Sequence, residues 1–430
     1  MLRCLPAIYA SISLIALSEA SGAAFHVEQS RTVSFEWVVD LVEAAVQSRP
    51  EFLSLESRLQ ADELARQSIT VWEDPIVGIG PVVYDSDRLY PSQFGDIGYV
   101  FRQSIPKRRE KVLLLEGAEV QTESTRIERD MARVTLQKEL YQALVRKAEV
   151  AEALEIQQDD LRWIRTIVTR KEDRFKVQQA GHDELMALQN ERGLQELKLE
   201  LATNELKTVD FRIRRLLNYA ATNDVPDVRL PIPLTPIPFG PNLIRTAKEQ
   251  NPELKWLRNA ITDEENESDR AELDLQPRWS LQAEARQYSG DGGFREGAFR
   301  VGLSLPWINR KERLAGVRSK QERVEAARQR LAEAEARMME RLHALTLEMD
   351  GVDRSLRVHR DEIQLRRQEI AASAQSAWEV NRGSLDELLN QRRNLIGDRM
   401  KVVQYTAQLH HLAAEILAVA GISRLGELSP

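Results

Sequence analysis

Hydrophobic and polar residues alternate with a period of two at separate places along the chain. From Pro277 onward, Trp279, Leu281, Ala283 and Ala285 alternate with Arg278, Ser280, Gln282, Glu284 and Arg286. After the turn-rich run Ser289-Gly290-Asp291-Gly292-Gly293 the alternation resumes. Phe299, Val301, Leu303 and Leu305 then point one way, and Arg300, Gly302 and Ser304 the other. Earlier in the chain Ile97, Tyr99, Phe101 and Ile105 alternate with Gly98, Val100, Arg102 and Ser104. This period is that of a half-buried strand. Two such strands around a polar loop make a hairpin, so the pattern predicts hairpins over 75–105 and 277–305.

Elsewhere the period lengthens. Leu113, Val120, Ile127, Val134 and Tyr141 recur every seven residues, as do Val317, Val324, Leu331, Met338, Leu345 and Val352. Such spacing predicts long helices packed side by side, over 106–180 and 306–382. Each would reach roughly 110 Å at 1.5 Å per residue. Shorter helices are predicted over 183–218 and 385–420, after Gly181 and Gly383. Opening helices run from about Ser34 to Trp72 and from about Asn242 to Leu275. They contain Pro50 and Pro252, where a helix should break or restart. Two short helices stacked end to end would match one long helix, giving two long and two composite helices.

The pattern occurs twice. Pro50-Glu51-Phe52 lines up with Pro252-Glu253-Leu254, and Arg108-Arg109-Glu110-Lys111 with Arg310-Lys311-Glu312-Arg313. Asp183-Glu184-Leu185 lines up with Asp386-Glu387-Leu388. A spacing of roughly 200 residues is too long for a solenoid repeat and reads as a duplicated half-molecule. The first repeat spans 25–221 and the second 242–422, with a tail at 423–430. Between them, 222–241 is proline-rich. It reads either as a linker or as a strap packed around the bundle.

Composition narrows the class. Of 430 residues, 30% are charged and 6% aromatic, the profile of long helices. The expected fold is therefore mainly α with a small β part. The net charge of −7 comes with both signs interleaved, leaving no basic face for nucleic acid. Residues 1–24 read as a secretory signal: Arg3, a short apolar core from Leu5 to Leu17, then small residues at Ser21-Gly22-Ala23-Ala24. The single cysteine, Cys4, lies inside it, so the mature chain is expected to have neither disulfide nor thiolate chemistry. The six histidines show no metal-ligand spacing, and His410-His411 are expected at the surface. No catalytic constellation, phosphate-binding loop or cofactor motif is evident, so no enzyme is expected.

Four strands with one apolar and one polar face suit an outer-membrane barrel. Ile97, Tyr99, Phe101, Phe299, Val301 and Leu303 are the candidates for the lipid-facing side. Strand edges cannot stay open in lipid, so several chains must combine, and three copies would supply about twelve strands.

The order helix, hairpin, long helix, turn, helix, given twice, resembles the TolC-type outer-membrane efflux proteins over about 34–421. Its local marks are Asn251-Pro252-Glu253-Leu254, Ser304-Leu305-Pro306 and Gly383-Ser384-Leu385-Asp386-Glu387-Leu388-Leu389. The stretch Leu303-Ser304-Leu305-Pro306-Trp307-Ile308-Asn309-Arg310 is similar to the heavy-metal cation branch. The resemblance implies a homotrimer whose twelve-stranded barrel in outer-membrane lipid continues into a periplasmic α-helical barrel. It implies a passive exit duct for RND-type efflux or type I secretion. Its partners would be a periplasmic adaptor (membrane fusion) protein and an inner-membrane transporter. Unlike lipidated members, this chain has no cysteine after its signal. The turns at Gly181 and Gly383 would lie at the periplasmic tip, each glycine allowing a left-handed backbone. Asp183, Glu184, Asp386 and Glu387 would there form acidic rings favouring cations. The same acids also suit a first helical turn electrostatically. From another class, a secreted coiled-coil structural or interaction protein would share the heptads but need no amphipathic strands.

Overall fold

The computed structural model describes residues 31–82, 96–176, 182–287, 292–380 and 382–428. The signal segment with Cys4, and Gly181, lie outside the described residues.

The long helix of the first half, α3, runs from Glu110 to Lys176, and the following helix, α4, from His182 to Leu217. The stretch before Glu110 is not helical: Glu110 Oε2 accepts from the Lys107 N–H at 2.9 Å in a turn that starts α3. Two helices precede them, α1 (Phe35–Ser48) and α2 (Pro50–Gln67). They part at Pro50, which has no N–H to donate and sits at the first position of α2. The second half repeats the order with α5 (Pro241–Gln250) and α6 (Pro252–Leu273), parted at Pro252. It ends with α9 (Leu385–Ala420), capped by the Ser384 side chain, which accepts from the Glu387 N–H.

The continuous helix expected over 306–382 is corrected in detail. It opens as a 3-10 turn, Pro306–Asn309, and continues as α7 (Arg310–Val358). A π-helical turn, His359–Ile363, follows, and then α8 (Gln364–Glu379). Neither proline nor glycine marks the π turn. It lies where His359 and Arg367 both face the buried Asp398 of α9.

Heptad residues form the seams. Leu113, Val120, Ile127 and Tyr141 of α3 are buried, as are Val317, Val324, Met338, Leu345 and Val352 of α7. Each large aliphatic side chain removed from water contributes about 1.5–3 kcal/mol. Seen across the layer, α3 lies between α4 and α2 on one side and α9 and α6 on the other, with α7 and α8 beyond α9 and α6. The short helices stack end to end. Where α4 ends, Arg49 Nη1 donates to the Leu216 carbonyl at 3.3 Å and Asn218 Nδ2 donates to the Ser48 carbonyl at 2.9 Å. Where α9 ends, Asn251 Nδ2 donates to the Val419 carbonyl at 2.7 Å, and Gly421 turns left-handed at φ 71°. A Cβ on Gly421 would lie 2.4 Å from the Gln250 carbonyl oxygen, so only glycine fits this junction.

In chain order the strands are β1 (Arg31–Thr32), β2 (Ile76–Val82), β3 (Asp96–Ile105), β4 (Val228–Arg229), β5 (Trp279–Gln287) and β6 (Phe294–Leu303). The short strands β1 and β4 pair in parallel, which ties the proline-rich stretch to the start of the first repeat. That stretch packs on the bundle, with Val225, Val228 and Ile237 in the main core.

His410 corrects the expected surface position of the histidine pair. It is buried in α9, where an Nε2–H donates to the Ile232 carbonyl (2.9 Å) and Tyr141 Oη donates to Nδ1 (2.8 Å). The carbonyl can only accept, which fixes the neutral tautomer. Burial pushes the His410 pKa down to about 4. His411 is half-buried, and burial lowers its pKa as well.

Candidate functional site

Strands β2 and β3 form one hairpin, and β5 and β6 the other. The hairpins join into one antiparallel sheet of order β2-β3-β5-β6. Its register decides which side chains share a face. Val77 pairs with Phe101, Phe101 with Ala283, and Ala283 with Phe299. Ile79, Tyr99, Ala285 and Gly297 form the next row, and Leu281 with Val301 and Trp279 with Leu303 continue the same face. Opposed residues of an antiparallel pair point the same way. The six residues singled out in the sequence, Ile97, Tyr99, Phe101, Phe299, Val301 and Leu303, therefore lie on one face. Phe299 and Val301 are 76% and 61% exposed there.

The opposite face is charged. Arg102, Gln282 and Arg300 share a row, as do Val100, Glu284 and Ala298, and Asp96 faces Val82 at the far end. Arg286 pairs with Asp96 and with Glu296 (3.3 Å), and Arg300 with Glu284. Small residues, Gly78, Gly80, Gly98 and Gly302, fill much of the rest of that face. Ile76, Val82 and Val100 are its larger apolar members among the described residues. The outer strands, β2 and β6, each have a second strand on one side only.

At the far end of the helices, Leu161, Ile164, Ile167, Val168, Leu188 and Trp378 pack with the start of α9 in a second apolar cluster. Gly383 sits at this turn. It has no left-handed backbone, which corrects the expected reason for a glycine there. The requirement is close approach: its N–H donates to the Ala377 carbonyl at 3.1 Å, and a Cβ would meet the Trp378 nitrogen at 3.1 Å. Asp183, Asp386 and Glu387 are exposed in the first turns of α4 and α9. Glu184 is paired with the largely buried Lys171 of α3, and Gln391 donates to Glu387 at 2.6 Å. Asp183 and Asp386 are thus the two of the four acids for which no side-chain hydrogen bond or ion pair is seen among the described residues.

Between the two apolar clusters lies a layer of ion pairs whose carboxylates are buried. Asp160 of α3 pairs with Arg392 at 2.7 Å, and Glu191 of α4 with Arg393 at 2.6 Å. Arg393 holds the Glu191 carboxyl below its ordinary pKa, whereas burial raises Asp160 despite the hydrogen bond from Arg392. Sequence reading missed this layer, because its partners lie some 200 residues apart and no local spacing joins them. It also missed the outward row of β2, Val77 and Ile79, since apolar Ile76 and Val82 blur the alternation.

Among the described residues no helix is long and apolar enough to cross a membrane. Among the described residues no cluster of His, Cys, Asp and Glu could hold a metal ion.

Neither a protein-family model nor a curated protein matches the sequence. Solved structures match the fold. The outer-membrane channel OprN superimposes with a TM-score of 0.74 at 15% identity, covering 97% of this chain and 98% of that one. The outer membrane protein VceC of Vibrio cholerae gives 0.74 at 12%, over 90% and 96%. CusC, described for conformational changes accompanying folding and transmembrane channel formation, gives 0.76 at 11%, over 93% and 96%. At these identities the likeness is one of fold: over nine-tenths or more of its length the chain has the architecture of these outer-membrane channels.

Proposed function

We propose that this chain is the outer-membrane exit duct of a tripartite efflux or type I secretion system. Three copies close a twelve-stranded barrel whose apolar face, including Phe101 and Phe299, meets lipid. The charged face with Arg286 and Arg300 lines the water-filled interior. The helical layers close side by side into a periplasmic tunnel. Transport is passive, with free energy supplied by an inner-membrane transporter reached through a periplasmic adaptor. The likeness of the Leu303–Arg310 stretch to the heavy-metal cation branch makes heavy-metal cations the cargo to test first. Asp183 and Asp386 at the turn form the acidic entrance.

One observation carries the reading. The pairing register gathers most of the large apolar residues of both hairpins on one exposed sheet face and the ion pairs on the other, while both outer strands stay open. A soluble cap would gain nothing from exposed Phe299, Val301 and Ile79. The test is a planar-bilayer recording of the full-length protein purified in detergent. Stepwise conductance from a trimer is expected. A monomer that stays monodisperse without detergent and never conducts overturns the reading. Asp386→Ala is expected to change conductance or cation block, and identical traces would remove that residue from the entrance.

A further inference from the structure

The duplicated basic cluster falls at one level of the molecule. Register places Ile105, Trp279 and Leu303 side by side at the end of the sheet nearest the helices. The chain leaves β3 and β6 there and starts α3 and α7 within a few residues. The four segments are tied together at this level. Lys107 pairs with Asp274 at 2.9 Å, Arg109 with Asp269 at 3.3 Å, and Arg278 with both Glu73 and Glu110. Arg313 donates to the Asp274 carbonyl at 2.7 Å.

Four cations remain outside these pairs and the Arg313 hydrogen bond. Arg108, Lys111, Arg310 and Lys311 are exposed, and no carboxylate lies within ion-pair distance of them among the described residues. Asp74 and Glu312, the exposed carboxylates beside them, offset half of that charge. Folding does not account for the four. Three of them stand in the first turn of a long helix, where the dipole favours acids and disfavours cations. The same level carries large exposed aromatics: Trp72 at 57%, Trp279 at 49% and Trp307 at 55%. Tryptophan at the boundary of an apolar band prefers the headgroup zone, where its ring is sheltered and its N–H is wet. The apolar sheet face ends at Trp279, so the aromatic level continues the proposed lipid contact directly.

We infer that this collar binds the anionic phospholipid headgroups of the leaflet nearest the helices. The tryptophans set the depth, and Arg108, Lys111, Arg310 and Lys311 recognise the headgroup phosphate and its net negative charge. The occupant is a lipid surface, chosen by charge complementarity and by continuity with the apolar band. Because the cluster is duplicated, each chain presents two such patches. The inference rests on the outer-membrane reading above.

The full-length protein reconstituted in phosphatidylcholine bilayers, probed by electron spin resonance of spin-labelled lipids, tests it. Labelled phosphatidylglycerol is expected to associate roughly fivefold more strongly than labelled phosphatidylcholine, the effect of about one net cation at a headgroup. The preference should shrink with added salt as the charges are screened. Arg108→Ser, Lys111→Ser, Arg310→Ser and Lys311→Ser together should bring the two lipids to parity. Arg108→Lys with Arg310→Lys should keep the preference. Equal association of both lipids with the unaltered protein, or a preference unchanged by the four substitutions, overturns the collar alone. Absence of any motionally restricted lipid overturns the outer-membrane reading and the collar with it.

Discussion

His410 is held between the Tyr141 hydroxyl and the Ile232 carbonyl, so it joins α9, α3 and the proline-rich strap through one neutral ring. Burial is the main cause of its depressed pKa, and the neighbouring His411 adds to it. The ring titrates at 6.5 in an open chain and at about 4 in the fold, so the folded state binds fewer protons over that interval. The stabilisation is whole above pH 6.5 and is lost as the pH falls through about 4. In full it amounts to about 3 kcal/mol, each tenfold change in proton affinity being worth about 1.4 kcal/mol. At pH 5 the loss is already about 2 kcal/mol, or roughly thirtyfold in the population of opened strap. His410→Gln keeps a donor for Ile232 and an acceptor for Tyr141 but cannot titrate. Amide hydrogen exchange of residues 225–239, read as the ratio of protection between unaltered protein and His410→Gln at each pH, isolates the effect. The ratio should fall roughly twentyfold between pH 7 and pH 5. A ratio constant over that range would refute the coupling between this ring and the strap.

Other substitutions follow from the packing. Gly421→Ala forces a Cβ against the Gln250 carbonyl oxygen in a left-handed conformation and should cost about 2–4 kcal/mol. Gly397→Ala, in open space on α9, should instead gain about 0.5–1 kcal/mol, and thermal melts of the two variants should move in opposite directions. Val301→Arg places a charge on the apolar sheet face at a cost of about 2–4 kcal/mol if that face meets lipid. The membrane-inserted fraction should drop, and unimpaired insertion would argue against lipid contact there. Asp160→Ala leaves Arg392 without its carboxylate and should destabilise by about 3 kcal/mol. Removing both partners should cost less than that single change, as read from denaturant melts of the double-mutant cycle.

The sequence by itself determined the types and order of the main helices and hairpin strands, but not the 3-10 and π turns or the short β1–β4 pair. A two-residue period can only be a strand with one wet face, and a seven-residue period can only be a helix with partners. Pro50 and Pro252 announce their own helix breaks, because a missing N–H is a purely local fact. The short-range alternation also picked out Phe299, Val301 and Leu303 as one row of a strand.

What the tertiary structure decided depends on distance along the chain. The two hairpins share one sheet because β3 meets β5 across almost two hundred residues, and only that register puts Phe101 and Phe299 on the same face. His410 reads as a surface residue in a charged helix. It is buried because Tyr141 and Ile232, each far away in sequence, supply its two hydrogen-bond partners. Gly383 is explained by a neighbouring backbone, and the π turn after Val358 carries no local mark of proline or glycine. Local propensity is written in each segment, but burial and pairing arise only when remote segments meet.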